Sequence, residues 1–187
     1  QSFGPTCIDT LSITVAEPTA LTLGVTSIDV SCFGACDGSI NSVTGGGTPP
    51  YSQAWSGGLT PNVTAQQNVC AGVYTLTVTD DNGCTIDTAG ITLIEPPLLS
   101  IDDLFETNET CYGDCDGQIV IVGANAISFS IDGGASFQPS GTFDGLCTGV
   151  YNLVIMDTAG CQTTGLATVS GPLPVLPEFT ASPQPTT

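Results

Sequence analysis

The chain of 187 residues contains no lysine, arginine or histidine, although it has 18 acidic residues and a formal net charge of −18. Without cations a protein has no clamp for phosphate groups and no counterion-releasing contact with nucleic acid. It also lacks a Schiff-base lysine, a histidine general base and any Ser–His or Cys–His couple. The composition therefore excludes nucleic acid as a partner and predicts that the chain is not an enzyme. Carboxylate-pair chemistry, as in glycosidases, is the remaining catalytic alternative.

Long apolar runs are also missing: none reaches the roughly 18 residues of a membrane-spanning helix, so no membrane span is predicted. Hydrophobic residues nevertheless make up 41% of the chain, which is too many for a disordered acidic tail. The 23 glycines and 13 prolines interrupt segments rich in Val, Ile, Leu and Thr. These statistics are typical of an all-β protein.

The uncompensated negative charge implies long-range self-repulsion, which keeps a protein soluble and extended. We interpret it as a solvated acidic surface with no cofactor. The alternative is stiffening by Ca²⁺, for which the adjacent carboxylates of Asp80 and Asp81 are the candidate ligands.

Nine cysteines at regular spacings indicate an oxidising compartment and disulfides. The close pairs, Cys32 with Cys36 and Cys111 with Cys115, have three intervening residues, and no second knuckle of matching spacing follows them. Zinc is therefore the weaker interpretation.

The chain repeats itself at intervals of about 77 residues. Cys-Phe-Gly-Ala-Cys-Asp-Gly at residues 32–38 returns as Cys-Tyr-Gly-Asp-Cys-Asp-Gly at residues 111–117. The cysteines of the two copies correspond in chain order: Cys32 with Cys111, Cys36 with Cys115, Cys70 with Cys147, and Cys84 with Cys161.

Each copy ends near a proline, which removes an amide donor and stiffens a linker. Cys7 corresponds to Cys84, so a truncated copy precedes the first complete one. The predicted divisions are the C-terminal strand of a preceding repeat (1–18), repeat 1 (19–97), repeat 2 (98–173), and a linker or the start of a further repeat (174–187).

Within a copy the apolar residues alternate as in half-buried strands. Over residues 73–79, Tyr74, Leu76 and Val78 are expected on one face and the threonines on the other. Residues 80–83, Asp-Asp-Asn-Gly, predict a hairpin turn because Asn and Gly tolerate positive φ. About seven short strands per copy favour an immunoglobulin-like β-sandwich. Further strands are predicted at residues 39–44, 51–56, 86–94, 119–122, 127–131 and 150–156.

Trp55 admits two interpretations, a platform for carbohydrate and an aromatic packed between sheets. Repeat 2 has Ile131 at the corresponding place, where no such platform exists. We therefore predict a core residue.

A sandwich of this size buries a small core and gains from disulfides. In an immunoglobulin-like layout Cys36 precedes strand B and Cys70 precedes strand F, and these strands start at the same end. The predicted pairs are Cys36–Cys70 and Cys115–Cys147. Each would stabilise its repeat by roughly 3–4 kcal/mol in the chain-entropy model.

Repeat 1 contains four motifs in this order: Cys-x-Gly-x-Cys-Asp-Gly, Gly-Gly-Thr-Pro-Pro-Tyr-x-x-x-Trp-Ser-x-Gly, Cys-Ala-Gly-x-Tyr-x-x-x-Val-x-Asp-x-x-Gly-Cys, and Glu-Pro. Repeat 2 has Ser-Ile-Asp-Gly-Gly in place of the Trp motif. Over residues 1–173 the chain resembles the SprB repeat of large Bacteroidetes surface adhesins. The resemblance implies type IX secretion and display on the bacterial cell surface. Motors drive the best-known such adhesins along the cell during gliding, but many other surface proteins carry these repeats, so the repeat alone does not establish motility.

The resemblance also implies a default for the remaining cysteines, because simpler repeats of the family carry this pair alone: Cys32–Cys84 and Cys111–Cys161. The sandwich layout opposes it, since the two members of each pair lie at opposite ends of a strand about 26 Å long, beyond the ~7 Å limit of a disulfide. The alternative is a cross-repeat bond, Cys32–Cys161. Cys7 has no assigned partner.

A shorter resemblance concerns Asp-Thr followed by an apolar residue, a sequence that Bacteroidetes O-glycosylate. It occurs three times and makes Thr10, Thr88 and Thr158 candidate glycosylation sites. The alternative is that these are ordinary polar residues at strand ends.

The function expected from these features is a repeat stalk of a secreted cell-surface adhesin, in which neighbouring repeats of one chain are the partners and present a distal adhesive region. The first alternative is a subunit of a polymerising extracellular filament or sheath, which binds like chains. A carbohydrate-binding module is a weaker alternative.

Overall fold

In the computed structural model, which describes Asp9 and residues 11–175, every regular element is a β-strand, in agreement with the all-β prediction. The chain divides into two compact units. Unit 1 comprises Gln1–Asp29 and Cys36–Ile94, and unit 2 comprises Val30–Ala35 and Glu95–Thr187. The main division thus falls close to the expected boundary at residue 97. The segment Val30–Ala35, however, comes from repeat 1 in sequence and belongs to unit 2, which the sequence divisions did not anticipate.

Unit 1 is built from short antiparallel strands in three small sheets, β1-β2-β4, β3-β6-β7 and β5-β8. The strands are β1 Thr22–Ile28, β2 Gly38–Gly45, β3 Ser52–Trp55, β4 Ala65–Val69, β5 Gly72–Tyr74, β6 Leu76–Thr79, β7 Thr85–Asp87 and β8 Ile91–Leu93.

Unit 2 has two three-stranded antiparallel sheets, β9-β10-β12 and β11-β13-β14. The strands are β9 Ser100–Thr107, β10 Gly117–Ala124, β11 Ser128–Ser130, β12 Thr142–Leu146, β13 Gly149–Met156 and β14 Gln162–Val169.

The strand predicted over residues 73–79 is interrupted in unit 1. Tyr74, Leu76 and Val78 are all buried, as the alternation predicts. Between β5 and β6, the amide of Thr75 donates to Oγ of Ser56 (2.7 Å), and the amide of Leu76 donates to Oγ1 of Thr88 (2.9 Å). Side-chain hydroxyls therefore replace ladder bonds at this point. In unit 2 the corresponding strands, β13 and β14, are continuous.

Each unit has its own hydrophobic core. In unit 2 the core residues come from both sheets: Leu99, Ile119, Ile121, Phe129, Leu153, Ile155, Ala167 and Val169. In unit 1 the core cluster is smaller: Ile40, Val69, Tyr74 and Leu93, with Val25, Trp55, Leu59 and Ile91 packed against it. Burial of these side chains is the main stabilising contribution in both units.

Candidate functional site: the cysteines and the loops that hold them

Each unit contains the inner disulfide that the sequence predicts, Cys36–Cys70 in unit 1 and Cys115–Cys147 in unit 2. Both bonds lie at the end of a ladder between two strands of one sheet. In unit 1, Cys36 and Cys70 lie just beyond the last pair of that ladder, Gly38 with Val69. The disulfide thus closes β2 against the end of β4.

The glycine of the Cys-Asp-Gly motif is explained by close packing at this same point. A Cβ on Gly38 would lie 2.9 Å from the carbonyl oxygens of both Ile28 and Val69. On Gly117 it would lie 2.8 Å from the carbonyl oxygen of Leu146. Backbone atoms cannot retreat from such contacts without disturbing the sheet, so only glycine fits.

The outer cysteines do not follow the default pairing. The structure bonds Cys32 to Cys161, with the two Cα atoms 5.8 Å apart and 129 residues between them in sequence. Among the described residues, Cys84 and Cys111 are free and exposed. Cys32–Cys84 and Cys111–Cys161 are therefore wrong, and the cross-repeat alternative is the bond that forms. Cys7 lies outside the described residues.

Strand length explains why Cys111 does not bond to Cys161 in unit 2. Cys111 lies in the loop between β9 and β10, close in sequence to Cys115, which is bonded to Cys147 at the start of β13. Cys161 follows the far end of β13, a strand of eight residues. At about 3.3 Å per residue, such a strand separates its ends by some 26 Å, which no disulfide spans. We call Cys32 and Cys111 loop cysteines, and Cys84 and Cys161 turn cysteines.

An aspartate fixes each turn cysteine. Oδ1 of Asp80 accepts the amides of Asn82 (3.0 Å) and Cys84 (2.8 Å), and Oδ2 accepts the amide of Thr48 (3.0 Å). These bonds, that from Thr48 first, hold the pKa of Asp80 below its usual value. The Asp-x-x-Gly-Cys sequence is therefore a turn closed by its own carboxylate.

Asp157 acts in the same way in repeat 2. Its Oδ1 accepts the amides of Ala159 (2.8 Å) and Cys161 (2.9 Å). Both turn cysteines thus follow the same side-chain cap.

A glutamate holds each loop, but from different places in the two repeats. In repeat 1, Oε2 of Glu95 accepts the amide of Gly34 at 2.9 Å. In repeat 2, Glu109 is only 7% exposed, and its Oε1 accepts the amides of Cys115 (3.2 Å) and Thr148 (3.0 Å). The hydroxyl of Thr148 also donates to Oε2 (2.7 Å) and is the first cause of a lowered pKa at Glu109.

Sequence reasoning missed Glu109. The available signal was an exchange between repeats: Val30 and Glu95 in repeat 1 correspond to Glu109 and Gly171 in repeat 2. Repeat 2 thus has a carboxylate at the first of these positions and none at the second, and in each repeat the carboxylate that is present accepts an amide of the loop.

The calcium hypothesis acquires no further ligands from the structure. The carboxylate of Asp80 already accepts three backbone amides, and Asp81 is exposed. Over the described residues the one cluster of three metal-type side chains is Glu109 with Cys115 and Cys147. The two sulfurs of that cluster form a disulfide, so they are not thiolate ligands.

The glycosylation candidates have different environments. Thr158 is exposed in the turn after β13, whereas Thr88 is partly buried and its hydroxyl oxygen accepts the amide of Leu76. Thr10 lies outside the described residues. Glycosylation of Thr158 and Thr88 stays a prediction, for which Thr158 is the more accessible site.

Trp55 packs against the core of unit 1, and its indole nitrogen donates to the carbonyl oxygen of Val63 at 3.0 Å. Ile131 packs against the core of unit 2. These contacts agree with the interpretation of Trp55 as a core residue.

No family model matches the chain, and no curated protein matches its sequence. Among solved structures it is similar to the surface layer protein SbsC, domains 1–6, with a TM-score of 0.33 and 12% identity. The match covers 87% of this chain and 29% of that chain. A TM-score this low does not establish a shared fold. Within the described residues, no helix has the length and apolar character needed to cross a membrane.

Proposed function

We propose that the chain is a segment of the repeat stalk of a secreted bacterial surface adhesin, a structural spacer of the SprB-repeat type that is not an enzyme. One observation carries the proposal: two successive repeats use the same strand order and the same inner disulfide. Each added disulfide-bonded β-unit makes the chain longer, which suits a spacer and contributes nothing to a catalytic site. Neighbouring repeats are its partners, and it acts outside the cell, where disulfides persist.

We further propose that each repeat is immunoglobulin-like. The sheets β9-β10-β12 and β11-β13-β14 correspond to the pairing of strands A-B-E and C-F-G in that fold. The hydroxyls of Tyr74 and Tyr151 donate to the carbonyl oxygens of Cys70 (3.0 Å) and Cys147 (2.8 Å). A tyrosine that bonds back to the chain just before strand F resembles the tyrosine corner of immunoglobulin domains.

Rotary-shadowed electron microscopy tests the spacer role. We compare the chain with a version in which the repeat 1–repeat 2 pair is duplicated in tandem. The expected result is an unbranched thread whose contour length grows by about 30–40 Å per added repeat, from strand length plus linker. Compact particles whose longest dimension does not grow with repeat number would overturn the proposal.

The second candidate is a subunit of a polymerising filament. The exposed thiols of Cys84 and Cys111 favour it, because they permit covalent bonds between copies. The same images separate the two candidates, since a filament has a periodicity set by the subunit and a length independent of the chain.

A further inference from the structure

The bond between Cys32 and Cys161 joins a loop cysteine of one repeat to a turn cysteine of the next repeat in sequence. The two free cysteines of the described chain are one of each kind: Cys111 is a loop cysteine and Cys84 is a turn cysteine. Each is therefore the counterpart of a residue that is already bonded.

The surroundings of the bonded turn cysteine recur at the free one. A groove beside Cys161 is lined by Leu98, Leu99 and Asp157, and by the loop residues Cys32 and Phe33. A groove beside Cys84 is lined by the counterparts Ala20, Leu21 and Asp80, and no residue of a Cys-x-Gly-x-Cys loop from the described chain lines it.

The free loop begins with the same turn as the bonded one, although Cys115 has positive φ (51°) and its counterpart Cys36 does not. The amide of Ala35 donates to the carbonyl oxygen of Cys32 (3.0 Å), and the amide of Asp114 donates to that of Cys111 (3.3 Å). Gly34 and Gly113 both have positive φ, 71° and 83°. The turn that contains Cys111 is thus preorganised for the bond that Cys32 makes, which lowers the entropic cost of association. Tyr112 is 65% exposed, and its counterpart Phe33, which lines the groove beside Cys161, is 50% exposed.

We propose that the bond seen between Cys32 and Cys161 recurs between successive repeats. Cys111 bonds the turn cysteine of a following repeat, and Cys84 bonds the loop cysteine of a preceding repeat. This rests on the proposed function. The partner is a second repeat of this kind, whose groove receives the loop and its aromatic residue. A succession of such bonds would tie every repeat covalently to the next.

The chemistry is thiol–disulfide exchange with a disulfide-bonded oxidoreductase as oxidant. One thiolate attacks a sulfur of the oxidant and forms a mixed disulfide, which the second thiolate then resolves. The two thiols lose two protons and two electrons as the S–S bond forms. The oxidant takes up the electrons and is released as a dithiol.

Complementary cysteine variants of the chain test this proposal, all carrying Cys7→Ser so that each single variant below has one free thiol, either Cys84 or Cys111. One carries Cys84→Ser and the other Cys111→Ser. In a glutathione redox buffer we expect each alone to stay monomeric on a non-reducing gel, and an equimolar mixture to form a covalent dimer. The chain that retains both cysteines should form a ladder of multimers that collapses on reduction.

Peptide mapping with a Glu- or Asp-directed protease identifies the link, which we expect to join Cys84 of one copy to Cys111 of another. Homodimers of either single variant would show unselective thiol oxidation and overturn the proposal. An unreactive mixture, or a monomer with an internal Cys84–Cys111 bond, would also overturn it.

A groove variant serves as the matched control. Leu21→Asp, in the partner that retains Cys84, places a charge in the groove without changing the thiol, so dimer formation should be lost. Retention of the full yield would show that no docking occurs. Failure of this proposal can be told apart from failure of the spacer proposal: electron microscopy of chains that carry Cys7→Ser and Cys84→Ser could still show a thread that lengthens with repeat number when mixing yields no dimer.

Discussion

Units 1 and 2 have the same inner disulfide but fill two equivalent interior positions with opposite chemistry. Gln53 pairs with Val78, and Phe129 pairs with Ile155 at the same register. Likewise, Gln66 pairs with Ile40, and Phe143 pairs with Ile119. Unit 1 therefore has glutamine at both places where unit 2 has phenylalanine.

The glutamines of unit 1 are buried with partners. Gln66 is 4% exposed, and its Nε2 donates to the carbonyl oxygens of Thr60 (2.7 Å) and Val63 (3.1 Å). Its Oε1 accepts the amide of Thr60 (3.2 Å). In unit 2, Phe129 is 9% exposed and belongs to the core cluster. One side chain holds a loop by hydrogen bonds, and the other fills space with apolar surface.

The difference shows which parts of the repeat are interchangeable. A buried amide is tolerated when every polar group finds a partner, so core polarity can vary between repeats. The inner disulfide is common to both units. The glycine beside it is also common to both, because backbone packing at that glycine admits no side chain. The following variants test that division, from the largest expected effect to the smallest.

The inner disulfides should matter equally in both units. Replacing Cys36 and Cys70 by serine, or Cys115 and Cys147 by serine, should each cost about 4 kcal/mol in the chain-entropy model. The closed loops are nearly equal, with sequence separations of 34 and 32. Urea unfolding of each double variant, followed by near-UV circular dichroism, measures the loss. A large loss in only one unit would break the comparison.

Removing the aromatic side chain from unit 2 should be costly. Phe129→Ala should lower the free energy of unfolding of unit 2 by about 3–5 kcal/mol, since a buried aromatic leaves a cavity in a packed core. Native-state hydrogen exchange locates the effect: amides of β10 and β13 should lose protection, while those of β2 and β6 keep theirs. Loss of protection in both units alike would contradict two separate cores.

Truncating the glutamine in unit 1 should cost less. Gln66→Ala leaves the polar groups of Thr60 and Val63 without this partner and should cost about 1–3 kcal/mol. The loop that contains them should exchange its amides faster. Phe143→Ala at the equivalent position of unit 2 is the matched control, and it should change core protection without affecting this loop.

Gly171 lies directly against the carboxylate of Glu109 in unit 2. A Cβ on Gly171 would lie 2.5 Å from Oε2 of Glu109 and would also meet the hydroxyl of Thr148, so Gly171→Ala should cost about 1–3 kcal/mol through overpacking. Glu109→Val creates the space that Val30 provides in repeat 1. The double variant should therefore recover part of the loss, and thermal unfolding of the four proteins gives the coupling. Additive losses would show that the two positions are independent.

These comparisons also show what the sequence could predict. The alternation of Tyr74, Leu76 and Val78 located β5 and β6, and the layout of strands gave the inner disulfide. Strand β4, Ala-Gln-Gln-Asn-Val, was not predicted. It has no apolar alternation, and its second residue, Gln66, is buried because the loop just before the strand supplies hydrogen-bond partners at Thr60 and Val63.

The outer disulfide was harder because two arguments conflicted. The family resemblance favoured a bond within a repeat, whereas strand length opposed it, and the geometric argument agrees with the structure. That Val30–Ala35 belongs to unit 2 depends on tertiary contacts, which a repeat pattern does not encode. Glu109 was missed for a similar reason: its role depends on Thr148, a residue 39 positions away in sequence.

The smallest expected effect is a difference in acid sensitivity between the units. In unit 2 the pKa values of Glu109, Asp116 and Asp132 are lowered, for Asp132 first by the hydroxyl of Ser130, whereas in unit 1 the lowered pKa is that of Asp80. A carboxyl with a lower pKa in the folded state binds fewer protons there than in the unfolded state, so its stabilisation is present above the unfolded pKa and is lost as the pH falls.

The ordinary values are 3.8 for Asp and 4.5 for Glu, so unit 2 should lose more stability than unit 1 as the pH falls below about 4.5. Relief of repulsion among the 18 acidic residues acts in the opposite direction on both units and is screened by salt. Thermal unfolding at pH 6 and pH 3 in high salt isolates the local contribution. Asp132→Asn should reduce the acid-induced loss in unit 2 and leave unit 1 unchanged, because the amide does not titrate. An unchanged pH dependence in that variant would show that the hydrogen bonds of Ser130 and Ser136 to Asp132 do not distinguish the two protonation states.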